Sequence, residues 1–478
     1  IIACEKHLNN QCLSECMNDR NFFPHDDIRP IQDELIRLIE SGLANKKHVI
    51  VHAPTGLGKT AATLSPALSF AMSKDNATVF FLTSRHTQHK IVIDTLKKMK
   101  EKFGLDFTAT SIIGKKYMCL QPNVDQLGSN EFSEYCKSLR DKDECEFYLN
   151  AHSKTNISGS VLLEELKRIS PVPVEELVDR CRKENICPYD MALSLSSKSK
   201  VIVSDYYYLF NPSIRDVFFK KIGKSLSDSI IIVDEGHNLS SRLRELLTRK
   251  LSDRILKRAI KESKKYQLDD ASVLLTGLEA ILCDISESLE TGRERLVSRT
   301  EFIDKVSSLG EYGSVVTKLK AAADIVREQQ RTSTISWVIS FLEAWPSGDD
   351  GFCRILSKDS SAISLTYRCL DPAIASKEVI DASMNTIIMS GTLSPVMMYR
   401  DLLGFPKDTL SKEFPSPFPK ENMLAMVVPK TTTKYTSRSP EQYLNISKIC
   451  AEIIDSVPGN AAIFFPSYSL KRDIGSTL

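Results

Sequence analysis

The sequence predicts an α/β fold built on a doubly wound, largely parallel sheet. Short apolar runs of strand length recur at Val49 to Val51, Thr78 to Leu82, Val201 to Val203, Ile230 to Val233, Ile387 to Met389 and Ala462 to Phe465, with helical patterns between them. The first run leads through a Gly-rich segment into a helix-compatible stretch, and residues able to do chemistry stand at the carboxyl ends of the runs. Ligands of such sheets bind at those ends.

At 478 residues the chain exceeds one compact domain, and a prior of about three is reasonable. Its 63 basic and 61 acidic residues nearly cancel, so global charge announces no polyanionic partner. No apolar run has the length of a membrane span and no signal peptide pattern opens the chain, so a soluble intracellular protein is expected. Twelve cysteines then point to metal or cluster ligation before disulfides. A chain that opens on Ile is expected to lack its own start.

Residues 1 to 21 form an N-terminal extension with Cys4, His7, Cys12 and Cys16, a spacing that matches no reliable zinc pattern. Apolar positions at Leu35, Ile36, Ile39 and Leu43 predict an amphipathic helix that Gln32 precedes. The Gln32 amide could read adenine from both sides, or simply start a solvated helix. The segment Ala53-Pro54-Thr55-Gly56-Leu57-Gly58-Lys59-Thr60 then reads as a phosphate-binding loop. Its glycines let the backbone wrap an anion, Lys59 reaches the β and γ phosphates of ATP, and the Thr60 hydroxyl can hold Mg²⁺. Ala53 in place of Gly is its one departure from the strict pattern.

The run Ile230 to Val233 ends in Asp234-Glu235-Gly236-His237. In a chain with a phosphate loop, Asp234 would hold Mg²⁺ opposite Thr60 and Glu235 would orient the attacking water. His237 either couples the nucleotide to the rest of the molecule or caps a turn. Ser390-Gly391-Thr392, at the end of another run, suits a relay of the γ-phosphate state or a plain turn. Tyr206, Tyr207 and Tyr208 also follow a strand end, as base-stacking or packing rings.

Between the runs at 78 and 201 stand Cys119, Cys136, Cys145 and Cys187, with Cys181 as a fifth candidate. There are no paired C-x-x-C clips, and Cys187 is followed by Pro188. Spacing alone leaves an iron–sulfur cluster, zinc and free buried thiols open. Residues 241 to 375 read as a mainly helical insertion. Its opening stretch, Arg242 to Lys265, carries ten Lys or Arg against three acids. It reads either as a basic helix for phosphate backbones or as a solvated face. Beyond residue 400 the pattern offers a strand at Met423 to Val428, a helix around Tyr443 to Ile454 and the last strand at Ala462.

Ala53 to Thr60, Asp234-Glu235-Gly236-His237, Ser390-Gly391-Thr392-Leu393 and Phe464-Phe465-Pro466-Ser467-Tyr468, with the four cysteines in order between the first two, resemble motifs of the XPD family of superfamily 2 DNA helicases, which includes the DinG and FANCJ types. The resemblance implies a P-loop RecA-like parallel-sheet motor domain with an iron–sulfur insertion and a helical arch insertion, followed by part of a second RecA-like domain. The implied boundaries are 1–21 extension, 22–115, 188–240 and 363–398 motor domain 1, 116–187 iron–sulfur domain, 241–362 arch, and 399–478 partial motor domain 2. It also implies a 4Fe-4S cluster on Cys119, Cys136, Cys145 and Cys187, in preference to Cys181. The implied activity is ATP-dependent 5′ to 3′ translocation on single-stranded DNA in nucleotide excision repair, on forked duplexes and with repair-complex partners, by a monomer. Action on other DNA structures, as in the DinG and FANCJ types, and an iron–sulfur DNA-binding module without turnover are the alternatives. The place of action would be the nucleus of a eukaryote or the nucleoid of a prokaryote.

Two departures from the family pattern, Gly236 for the usual Ala and Leu57 for Ser or Thr, both face a backbone turn and are expected to be tolerated. No Gln-x-x-Gly-Arg-x-x-Arg occurs. Arginines of that kind are worth about 10³ to 10⁵ in rate, so this polypeptide is expected to hydrolyse ATP poorly.

Overall fold

Val49–His52 (β1), Thr78–Leu82 (β2), Ala109–Ser111 (β3), Val201–Ser204 (β4) and Ser229–Val233 (β5) are almost wholly buried strands, and all but β3, which is Ala-Thr-Ser and gave no apolar signal, sit on the expected apolar runs. Arg249–Ser252 (β6), Arg293–Leu296 (β7), Phe352–Lys358 (β8) and Ile363–Cys369 (β9) follow, then Asn385–Ser390 (β10) and Leu410–Glu413 (β11). The computed structural model describes residues 22–152, 157–330, 333–422, 424–434 and 437–477, so Cys4, His7, Cys12 and Cys16 lie outside the described residues. The chain forms two units, Ile1–Pro417 and Phe418–Leu478.

The first unit is organised by a seven-stranded sheet of order β11-β1-β10-β5-β2-β4-β3, parallel at every pairing. Side chains alternate between its faces. Ile50, Phe80, Ile231 and Ile388 enter one core, while Val51, Phe81, Ile232 and Met389 enter the other. Pro30–Ala44 (α1), Lys59–Met72 (α2) and His86–Phe103 (α3) cover the second core through residues such as Leu35, Leu64 and Leu96. α1 is the amphipathic helix expected from its apolar spacing. Both β1 and β5 therefore end at the same edge of the sheet, with β10 between them.

Residues between β5 and β10 build a separate core, mostly helical as expected. They also hold a four-stranded antiparallel sheet, β6-β9-β8-β7, which the helical reading missed. Its signal was a period of two: in Ile363–Cys369 the buried Leu365, Tyr367 and Cys369 alternate with more exposed neighbours. The basic run is likewise not one helix but Leu239–Leu247, β6 and Asp253–Lys265 in succession. In this core Phe302, Phe341 and Trp345 meet at ring separations of 5.1 to 5.9 Å. Beside them the buried Arg354 guanidinium donates to the carbonyls of Trp345 and Ser347, pairs with Asp349 and lies over the Tyr367 ring at 4.7 Å.

β11 lies on the far edge of the sheet against β1, so the first unit runs to Pro417, past the residue 398 at which the sequence suggested its end. In the second unit, helices Pro440–Ser456 and Tyr468–Gly475 form and are capped by the Ser439 and Ser467 hydroxyls. Of the expected strands at 423–428 and 462–465, none forms over the described residues 424–428 and 462–465: among the described residues of this unit there is no strand, and Leu424, Val427 and Phe464 are exposed. A strand exists only where a neighbour takes its backbone hydrogen bonds, and these runs have none.

Arg354→Met should destabilise the helical insertion by about 1 to 3 kcal/mol, because it leaves the buried Trp345 carbonyl without its donors. Hydrogen exchange should then show faster opening across residues 253–369, with the seven-stranded sheet unchanged. Equal loosening of both would refute an independent core.

Candidate functional site

β1 ends in a loop whose backbone only glycine can follow at two points: Gly56 and Gly58 have φ of 87° and 80°. Gly58 serves as N-cap of α2, so the first free amides of that helix face the loop. There is also no room for a side chain, since a Cβ on Gly58 would lie 2.3 Å from Gln32 Nε2. Gln32 is thus buried beneath the loop and not a solvated helix start; its Oε1 accepts from Arg29 N at 2.9 Å. The Arg29 guanidinium donates to Gly56 O at 3.0 Å and so braces the loop from outside. Leu57 is buried in the core below, which gives its apolar identity a packing reason. The Lys59 ammonium folds back toward Pro54 O at 3.5 Å.

At the end of β5, Asp234 N donates to Leu82 O at 2.9 Å. The Asp234 carboxyl is buried, and burial followed by the neighbouring Glu235 charge pushes it up to about 6, against the opposing pull of Lys59. A buried and a partly exposed carboxylate stand next to each other, and Lys59 is the cation that acts on Asp234. A divalent ion fits that donor set. Glu235 itself has φ 50° and ψ 42°, a left-handed conformation that costs about 1 to 3 kcal/mol for such a residue. Tyr206 holds the turn, its hydroxyl donating to Asp234 O and to Glu235 O. Sequence reasoning left Tyr206 between stacking and packing; burial decides for packing, with this added duty. Tyr208 is also buried and donates to Ile113 O at 2.8 Å.

Gly236 is no mild replacement for alanine here. A Cβ would lie 2.3 Å from Ile388 Cγ2 on β10, so the two residues share one space.

Ser390, at the tip of β10, joins all three segments. Its carbonyl accepts from Ala53 N at 2.9 Å. Its hydroxyl lies 2.6 Å from His237 Nδ1 and 3.3 Å from Glu235 Oε2, and accepts from Thr392 N at 3.2 Å. His237 Nδ1 is also 3.4 Å from Glu235 Oε2. Gly391 passes close to the loop, its Cβ position 3.5 Å from Thr55 N. With β10 between them, β1 and β5 stand about 10 Å apart, which leaves a phosphate-sized gap between loop and carboxylates.

Cys119, Cys136, Cys145 and Cys187 line one cavity together with Phe132 and Tyr148. Each comes from a different element: Cys119 ends the helix Lys115–Met118, Cys136 lies in Ser129–Asp141, Cys145 precedes Glu146–His152, and Cys187 caps Pro188–Lys198. Burial raises the Cys119 and Cys187 thiols. Cys181 lies elsewhere, fully buried against the sheet, and its thiol is pushed up to about 12 by burial. Among the described residues no group of three or more His, Cys, Asp or Glu is placed to hold a single metal ion. The core here is small: Val124, Phe132 and Tyr135 are its buried residues.

A glycine loop at a helix N-terminus, facing an acidic pair across a parallel sheet, defines a P-loop nucleotide hydrolase. Family profiles match the chain at residues 81–256 (DEAD_2) and 29–129 (DEAD/DEAH box helicase). It is 24% identical to the general transcription and DNA repair factor IIH helicase subunit XPD/RAD3 of Saccharomyces cerevisiae, over 95% of this chain and 70% of that one. The ATP-dependent DNA helicase CHL1 of Meyerozyma guilliermondii is 23% identical, over 84% of this chain and 54% of that one. Among solved structures, one titled XPD_Helicase superposes with TM-score 0.56 at 22% identity, covering 95% of this chain and 75% of that one. Another, titled Truncated XPD, gives 0.53 at 21% identity, covering 81% and 100%. The chain is thus similar to the XPD helicases over most of its length, and the matched helicase domains support an ATP hydrolase that works with Mg²⁺.

Gly236→Ala should cost about 1 to 3 kcal/mol by overpacking against Ile388. In an Ile388→Ala background the same change should cost much less, a coupling of about 0.5 to 3 kcal/mol by thermal unfolding. Additive effects would show that the two side chains do not compete for space.

Proposed function

We propose that this protein is a DNA helicase that moves 5′ to 3′ along a single strand and separates duplexes during DNA repair. The observation that carries the motor reading is the Ser390 junction, where the nucleotide loop, the acidic turn and the end of β10 meet through one side chain and one carbonyl. Lys59 and the loop amides bind the phosphates of ATP, while Thr60 and Asp234 would hold Mg²⁺. That ion supplies charge neutralisation at the β and γ oxygens when bound. Glu235 orients and polarises the attacking water, and Gln32 remains a candidate adenine contact. Ser390, Gly391, Thr392 and His237 carry the γ-phosphate state from the acidic turn to the loop, because a change at Glu235 moves the hydroxyl that also contacts His237 and Thr392.

Cys119, Cys136, Cys145 and Cys187 would hold a 4Fe-4S cluster. The core of Val124, Phe132 and Tyr135 is too small to order residues 119–152 alone, so the cluster's work there is structural. DNA contact is supported by the helix Asp253–Lys265, whose exposed positions 254, 257, 258, 261, 264 and 265 are all Lys or Arg. Such a face suits a phosphate backbone. In a eukaryote the place of action would be the nucleus, with repair-complex proteins as partners, and in a prokaryote the nucleoid.

The deciding experiment measures ATP turnover with and without single-stranded DNA, and strand separation on duplexes carrying a 5′ or a 3′ overhang. Stimulated turnover and opening from the 5′ overhang are expected; turnover indifferent to DNA would overturn the reading. Glu235→Gln should lower turnover about 10²- to 10⁴-fold while Mg²⁺-dependent ATP binding persists. Cys187→Ser, purified without air, should lose the visible absorption of a cluster of about four irons and raise hydrogen exchange across residues 119–152. A colourless parent that contains zinc would exclude the cluster.

A further inference from the structure

Tyr117 is a large aromatic side chain that is 65% exposed, in a segment that is otherwise tied down. Its neighbour Met118 is fully buried, as is Ile112, and the buried Ile113 accepts the Tyr208 hydroxyl on its carbonyl. Tyr117 N donates to Gly114 O at 2.8 Å, which closes the turn that carries the ring. The ring is therefore held outward by a buried base.

Its surroundings are built for a planar anionic ligand. The His86 ring stands edge-on to it, with centroids 5.6 Å apart and planes at 77°. The Lys116 ammonium lies 5.8 Å from the Tyr117 centroid and is anchored on Leu127 O. Arg85 and Lys90 are exposed on the same segment as His86, and Lys115 lies over the Tyr189 ring at 5.4 Å. Acids are near as well: Glu175 lines the small cavity beside His86, Glu176 and Asp179 line another with Lys90, Arg180 and Lys183, and the charges of both Arg242 and His86 act on Asp205.

The position matters as much as the chemistry. His86 opens α3 just beyond β2, and the last residue of β2, Leu82, accepts the hydrogen bond from Asp234 N. Tyr117 stands two residues before Cys119, which lines the cysteine cavity. The pair thus sits on the ligand-binding edge of the sheet, between the carboxylates and the cysteine insertion.

We propose that Tyr117, backed by His86, with Lys116 beside the ring and Arg85 exposed on the His86 segment, is a stacking platform for a base of single-stranded DNA. The face of Tyr117 takes the base, the edge-on His86 keeps that ring from turning away, and the ammonium and guanidinium groups hold the adjoining phosphates. Exposed aromatics among cations bind single strands in this way, with little dependence on base identity. This assignment rests on the DNA reading above and adds to it a defined point of base contact.

The test measures binding of the full chain to a single-stranded oligonucleotide and to an abasic strand of equal length, over a range of salt. Tyr117→Ala should weaken binding of the normal strand about 5- to 100-fold, with the salt dependence unchanged, because a stack and not a phosphate contact is lost. Tyr117→Phe should stay within about twofold of the parent, since it keeps the ring. On the abasic strand, Tyr117→Ala and the parent should bind alike. An equal loss on both strands, or a Tyr117→Ala variant that binds the normal strand as the parent does, would overturn the platform while the helicase reading stands. A parent without single-strand affinity would overturn both. An unchanged unfolding midpoint for Tyr117→Ala confirms that the fold is intact.

Discussion

The placement of β10 between β1 and β5 is the constraint on which the site depends. A parallel sheet aligns strand ends, so His52, Ser390 and Val233 finish at one edge although they are far apart in the chain. One intervening strand sets the gap between loop and carboxylates at two strand spacings. It also puts Ser390 where its carbonyl reaches Ala53 N and its hydroxyl reaches His237 and Glu235. The strained backbone of Glu235, the missing Cβ of Gly236 and the buried Tyr206 hydroxyl all serve that arrangement. Any shift of β10 would be felt by both halves of the nucleotide site.

The two insertions solve their own stability in different ways. The one between β5 and β10 has a core large enough to stand by itself, and buries an arginine whose donors are taken up by carbonyls and Asp349. The one between β3 and β4 splits. Its later helices contribute Leu162, Leu166, Leu177 and Cys181 to the core of the motor sheet, whereas residues near Cys119, Cys136 and Cys145 share a core of three buried side chains. That segment is poor in apolar burial, and it is there that Cys119, Cys136 and Cys145, with Cys187, line one cavity.

Apolar strands buried on both faces, β1, β2, β4, β5 and β10, were the most legible, because each is a short apolar run between helical patterns. The phosphate loop, the acidic turn and the Ser-Gly-Thr turn were legible for the same reason: each directly follows such a run. The antiparallel sheet of the helical insertion was hidden because its strands carry Arg, Lys and Ser on one side, which dilutes apolar content while leaving the alternation intact. The runs at 424–428 and 462–465 misled in the opposite sense. They have strand composition but no pairing partner, and composition does not supply one.

By itself the sequence determined which segments could do chemistry: the glycines and Lys59 of the loop, the carboxylates after Val233, and the cysteines between β3 and β4. Local residue order suffices there, since loop geometry and ligand type follow from neighbours in the chain. Only the tertiary structure decided what those segments meet. Ser390 as a junction, Ile388 in the space of an absent methyl, Tyr206 under the acidic turn, Cys187 apart from Cys181, and the Tyr117 ring against His86 all depend on strand order and long-range packing. Such contacts are selected by how the apolar faces bury one another, and no local pattern encodes the outcome.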